Sequence, residues 1–135
     1  MTALLLDTHV LVWMMDTPKR IGKKAHSAIE RAGERGELIV SAVSFREIAL
    51  LIHEKRIDFG GTAFDIRRRV MQEGIDELPV NGEQAIDAAG LTGLPGDPMD
   101  RFIVAAARHA RAQLMTADIA ILAWEGIVKR LDATE

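Results

Sequence analysis

The sequence predicts an α/β fold of three layers, a parallel sheet covered by helices on both faces. Three observations predict it. Short apolar runs such as ALLL at 3–6 and LIVSAV at 38–43 lack polar alternation, as strands buried on both faces do. Amphipathic stretches of helical period separate them, and strand–helix alternation implies parallel pairing with helices on both faces. Glycine and proline punctuation falls between the runs. The 135 residues fit a single domain, 1–135, large enough to bury a core.

Taken in order, 3–6 is the first strand and 8–15 the first helix, broken by Pro18. Residues 22–35 form a helix with a charged outer face, closed by Gly36. The second strand, 38–43, leads into a helix at 44–55 with Ile48, Leu51 and Ile52 on one face. After a loop at 58–61, Thr62 caps a helix at 62–73, with Asp65 completing a capping box and Gly74 ending it. A third strand at 75–80 precedes a helix capped by Asn81 and running to about Leu91. Residues 92–98 hold two glycines and two prolines and form a loop. Asp97 then caps a helix that has Pro98 at its first position and runs to about Ala112. The fourth strand is 113–116, a short helix follows at 117–123, and 127–131 is the last strand.

Composition removes several function classes. There is no cysteine, hence no disulfide and no thiolate metal site, and a reducing cytoplasm is the expected location. No apolar run reaches the roughly 18 residues a membrane span needs. The apolar N-terminus lacks a basic flank and carries Asp7, unlike a secretory signal. The net charge of −3 gives no global attraction for nucleic acid, and the clusters Lys19, Arg20, Lys23, Lys24 and Arg67, Arg68, Arg69 read as solvated helix faces. His26, His53 and His109 have no partner at metal-binding spacing.

Four acids stand where strands hand over to helices. Each has an ordinary explanation: Asp7 as a cap, Glu47 as the far end of a capping box opened by Ser44, Asp100 as a first-turn acid facing the helix dipole, Asp118 as another helix-start acid. Topology joins them. In a parallel sheet, a helix following a strand and a helix leading into one both begin at the strands' C-terminal edge, where ligands bind in open α/β folds. Carboxylates converging there repel unless neutralised. An oxygen-only donor set suits Mg²⁺ or Mn²⁺, and such an ion can activate water and polarise a phosphoryl oxygen. The chemistry that emerges is metal-assisted hydrolysis of a phosphate ester.

The segments DTHVLVW (7–13), SFRE (44–47), DPMDRFIVAAA (97–107) and LMTAD (114–118) resemble the PIN-domain ribonucleases, and more narrowly the VapC toxins of type II toxin–antitoxin pairs. The resemblance spans essentially the whole chain in the same order. It implies an α/β/α sandwich around a short, mostly parallel sheet, Mg²⁺- or Mn²⁺-dependent endonucleolytic cleavage of RNA, inhibition by a cognate antitoxin, and a homodimer. By position it makes Asp7 and Asp100 the main metal ligands, with Glu47 and Asp118 completing the catalytic cluster. Pro95 stands where many relatives carry histidine, and Met99 where many carry an aromatic, which bears on loop shape and RNA preference.

Beside the acids, Arg101 is the leading candidate for substrate phosphate or for locking a carboxylate. Thr8 is placed to orient Asp7 or contact substrate, and Arg46 to contact the RNA backbone. Leu50, Leu51, Phe64 and Met71 on the two helices at 44–55 and 62–73 suggest a partner groove beside their core role. The alternatives are a catalytically silent RNA- or partner-binding module and a receiver-type phosphoacceptor domain. The latter needs an acidic pair after the first strand and an Asp ending the third; Thr8 follows Asp7, and the third strand runs into LPVNG. A dehalogenase-like phosphatase needs an acid where His9 stands.

Overall fold

The computed structural model describes residues 2–96 and 98–135. The expected Asp97 cap lies outside the described residues. Five strands form one sheet in the order β3-β2-β1-β4-β5: β1 (Leu4–Leu6), β2 (Leu38–Ser41), β3 (Asp76–Leu78), β4 (Gln113–Thr116) and β5 (Lys129–Asp132). All four pairings are parallel, with Leu4 opposite both Leu38 and Gln113. The helices are α1 (Thr8–Asp16), α2 (Lys23–Glu34), α3 (Val43–His53), α4 (Ala63–Gln72), α5 (Gly82–Ala89), α6 (Pro98–His109) and α7 (Ile119–Ala123), with a 3₁₀ turn at Pro18–Arg20.

The central strand sorts the core into two halves. Leu4 and Leu6 join Val10, Leu11, Ile29, Ile48, Ile66 and Val70, on α1 to α4. Leu5, pointing the other way, joins Leu94, Ile103, Val104, Ala107 and Ile121, around α6 and α7. Each large apolar side chain so buried contributes about 1.5–3 kcal/mol. In α6 the consecutive Ala105, Ala106 and Ala107 are fully buried; with no bulk beyond Cβ they let the helix approach the sheet closely.

The strands β2 and β3 are shorter than expected, β5 is shifted to 129–132, and two helix boundaries differ for a visible reason. Helix α6 ends at His109, because Arg111 adopts a left-handed φ of 52° without a glycine to announce the stop. Helix α3 begins at Val43, with Ala42 as a cap that offers no side-chain bond. Ser44 is therefore inside the helix, and the capping box expected of Ser44 and Glu47 does not form. The box at Thr62 and Asp65 does.

Residues 133–135 strap the start of α2 to the sheet. Ala133 donates to Thr116 O, Gly22 donates to Ala133 O and Lys24 donates to Glu135 O. A Cβ at Gly22 would overlap the backbone of Thr134 and Glu135. Gly22→Ala is therefore expected to dislodge the strap and cost about 1–3 kcal/mol. Thermal melting and amide exchange at 133–135 check this; unchanged melting with full protection there would contradict it.

Candidate active site

The strand order reverses at β1. The chain winds outward from β1 to β2 and β3, then returns to place β4 on the other side of β1. The C-terminal ends of β1 and β4 thus frame the switch point where open α/β sheets bind ligands. Asp7 leaves β1 there, its amide donating to Met115 O at 3.0 Å. As the N-cap of α1 it is 3% exposed. Its Oδ1 accepts from Thr8 N at 2.8 Å and its Oδ2 from the Thr116 hydroxyl of β4 at 2.8 Å. Burial pushes the Asp7 carboxyl above its ordinary value; His9 and the hydrogen bonds from Thr116 and Thr8 pull it down, and Asp118 pushes it further up.

Asp118 arrives from the end of β4. It caps α7, its Oδ1 accepting from Ala120 N and Ile121 N, while its own amide donates to Thr116 Oγ1 at 3.0 Å. Thr116 is fully buried and ties the two acids together: its oxygen accepts from one residue and its proton goes to the other.

Glu47 enters from α3. The Thr8 hydroxyl donates to Glu47 Oε1 at 2.8 Å and lies 2.8 Å from Ser44 Oγ. Residues 44 and 47 are one turn apart on the same helix face, so both reach toward Thr8. Thr8 was expected to orient Asp7 or meet substrate; its backbone holds Asp7 and its side chain holds Glu47.

His9 is fixed as well. Its Nε2 accepts from Ala117 N at 2.9 Å, which leaves the ring proton on Nδ1, 3.8 Å from Asp7 Oδ2. Asp100 lies half-buried in the first turn of α6. A Cβ at Gly96 would stand 3.4 Å from its Oδ2, so the preceding loop lies close against it. Pro98 and Met99 of that first turn share a hollow of about 430 Å³ with Glu47, Arg46, Leu50 and Arg56.

Arg101 does something not expected of it. Its Nη1 donates to Ala88 O and Leu91 O, and its Nη2 to Leu94 O, at 2.8–3.3 Å. These donors clamp the loop between α5 and α6, so the guanidinium is engaged with carbonyls rather than with a carboxylate or the open groove. The pattern DR at a helix start carries no signal for this, since the loop's return path is set by tertiary packing.

Among the described residues no three Asp, Glu or His side chains stand close enough to cage a metal ion by themselves. The donor chemistry nevertheless fits a hard divalent cation. Mg²⁺ is commonly held by one or two carboxylates with its remaining positions filled by water. Asp7 is a buried carboxylate with a second acid beside it, and each of its oxygens retains lone-pair capacity beyond the one protein donor it accepts from.

A family model described as the PIN domain matches residues 4–123. Ribonuclease VapC22 of Mycobacterium tuberculosis is 34% identical over 119 residues, which is 87% of this chain and 88% of that protein. Among solved structures, VapBC2 from Rickettsia felis bound to a promoter DNA fragment superposes with a TM-score of 0.71 at 12% identity, over 96% of this chain and 99% of the other. A toxin–antitoxin complex from Klebsiella pneumoniae gives 0.64 at 17% identity, over 97% and 98%. At such identities these structures establish the shared fold.

Proposed function

The chain belongs to the PIN-domain family, and from that premise we infer that it is a divalent-metal-dependent endoribonuclease, the toxin of a toxin–antitoxin pair acting in the cytoplasm. One observation carries the reading: buried Asp7 is joined through Thr116 to the Asp118 cap at the β1–β4 switch point. The similarity to a protein named as a ribonuclease supports RNA as substrate.

Asp7 and Asp100 are assigned as the principal ligands of Mg²⁺ or Mn²⁺, with Asp118 and Glu47 contributing directly or through water. When bound, the ion supplies charge stabilisation at a phosphoryl oxygen and a water of lowered pKa. The chain's own groups do the positioning. Thr116 fixes one Asp7 oxygen and the Thr8 amide the other, while the Thr8 hydroxyl holds Glu47. Arg46, exposed beside Glu47 in the 430 Å³ hollow, is assigned to the RNA backbone. The neighbour named as a toxin–antitoxin complex supports an antitoxin partner. Phe64, 81% exposed on α4, and Leu50, 40% exposed on α3, offer apolar surface for that partner or for a second copy in a homodimer.

The test is cleavage of total RNA. Cuts at discrete sites are expected with Mg²⁺ or Mn²⁺ and none with EDTA, and Asp100→Asn is expected to behave as EDTA does. RNA retained but uncut under every condition would replace this reading with the silent binding module.

A further inference from the structure

On the Asp118 side of the acids lies a second hollow, of about 370 Å³, lined by His9, Trp13, Arg20, Ala117, Asp118 and Thr134. Its wall is layered. The Arg20 guanidinium sits over the Trp13 ring, 4.2 Å from its centroid. The His9 ring meets Trp13 with centroids 5.1 Å apart and planes tilted by 55°. His9 in turn is anchored by the Ala117 amide, with Nδ1 3.8 Å from Asp7 Oδ2. A row of cationic and aromatic groups, Arg20, Trp13 and His9, therefore runs from solvent to the edge of the acids. Trp13 is buried, whereas Arg20 is exposed on the 3₁₀ turn and makes no ion pair among the described residues.

The composition of this wall selects its ligand. One guanidinium opposite one carboxylate gives no net charge for a bare anion. A guanidinium held over an indole offers a planar cationic surface to a second π-system, which is how proteins grip unstacked bases. We propose that the hollow seats a nucleobase of single-stranded RNA, that of a nucleotide adjacent to the scissile phosphate, stacked on Arg20. This subsite rests on the ribonuclease reading and extends it to substrate selection: Arg20 contacts the base, and Trp13 is the positioning residue that holds Arg20 in place.

The experiment measures binding of short, end-labelled single-stranded RNA by fluorescence anisotropy, in EDTA and in Ca²⁺, for wild type, Arg20→Ala and Arg20→Lys. Arg20 is exposed, so both variants are expected to melt with the wild type. Arg20→Ala is expected to weaken binding about tenfold, and lysine, which keeps the charge but not the planar fork, to recover little of it. A single abasic nucleotide moved along the RNA should weaken wild type at one position and leave Arg20→Ala unaffected there. Unchanged affinity in Arg20→Ala, full recovery by lysine, or equal abasic penalties in both proteins overturns the subsite. Failure of the ribonuclease reading has a different signature: RNA bound with the Arg20 dependence but uncut in Mg²⁺ retains the subsite and removes the nuclease. RNA neither bound nor cut removes both.

Discussion

Asp7→Asn is expected to lower Mg²⁺-dependent RNA cleavage by about three orders of magnitude while raising thermal stability in the absence of metal. The two effects have one cause. Asp7 is a charge held at 3% exposure, and burial is the largest influence on it, pushing its carboxyl upward. An amide of the same shape removes that cost, still accepts from Thr8 N, and donates its NH₂ to Thr116 Oγ1 where the carboxylate accepted from it. It also removes the charge that would attract a cation, which is worth several kcal/mol in the transition state. The sign of the pH dependence follows. An acid whose folded value lies above its unfolded one weakens the fold at high pH, and the penalty disappears as pH falls through the folded value to the unfolded one. The stability gained by Asp7→Asn, about 1 kcal/mol, should therefore be present at neutral pH and shrink toward the ordinary carboxylate range. Added Mn²⁺ should raise the melting temperature of wild type and not of the variant, because a ligand that binds only the folded state stabilises it. Differential scanning calorimetry across pH, with EDTA and with Mn²⁺, beside a cleavage assay, checks all four. A variant that cuts at near wild-type rate, or that melts lower than wild type in EDTA, contradicts the assignment of Asp7.

The placement of Asp7, Asp100 and Asp118 is readable from the sequence because two local signals coincide: each stands at a helix start, and each such start belongs to one edge of a parallel sheet. For Asp7 and Asp118 the residue that caps a helix is also the one assigned to the site, so the ordinary explanation holds and does not compete with the proposed role. For Glu47 the ordinary explanation does not hold. SFRE and the true box TAFD are nearly equivalent as strings, yet only Thr62 and Asp65 close on each other. What separates them is the context of α3, where Thr8 of α1 lies opposite Ser44 and Glu47 and draws both side chains away from the helix end. Arg20 was read as one of a solvated cluster, and its sequence neighbours Lys19, Lys23 and Lys24 fit that description. Its seat over Trp13 depends on the 3₁₀ turn at Pro18–Arg20 folding back on α1, a chain reversal that charge pattern does not encode. The arginine clamps are illegible for the same reason, since their partners are carbonyls, which every residue possesses.

The second of those clamps, Arg130, supports the other large prediction. Its Nε donates to Ile121 O, Nη1 to Val128 O, and Nη2 to both Trp124 O and Gly126 O. Four carbonyls, from the end of α7 through the turn into β5, converge on one guanidinium. Helix α7 has only five residues, far too few to persist without tertiary support. Asp118 holds its N-terminus and Arg130 its C-terminal carbonyls, so loss of the clamp should loosen the helix whose cap is also one of the acids assigned to the proposed site. Arg130→Met keeps the apolar stem but leaves partly buried carbonyls without donors, an expected loss of about 3 kcal/mol, or a fall in melting temperature of roughly 10 °C for a domain of this size. Lysine should recover only part, because a single ammonium cannot span the fork. Amide exchange should rise first at 119–128, ahead of β1 and β4, and Mn²⁺ should stabilise the variant less than wild type because the Asp118 cap is no longer held in register. A melting temperature within about 2 °C of wild type would show that water replaces the guanidinium without cost. Uniformly raised exchange, with no lead at α7, would show that the clamp serves the whole sheet rather than the site.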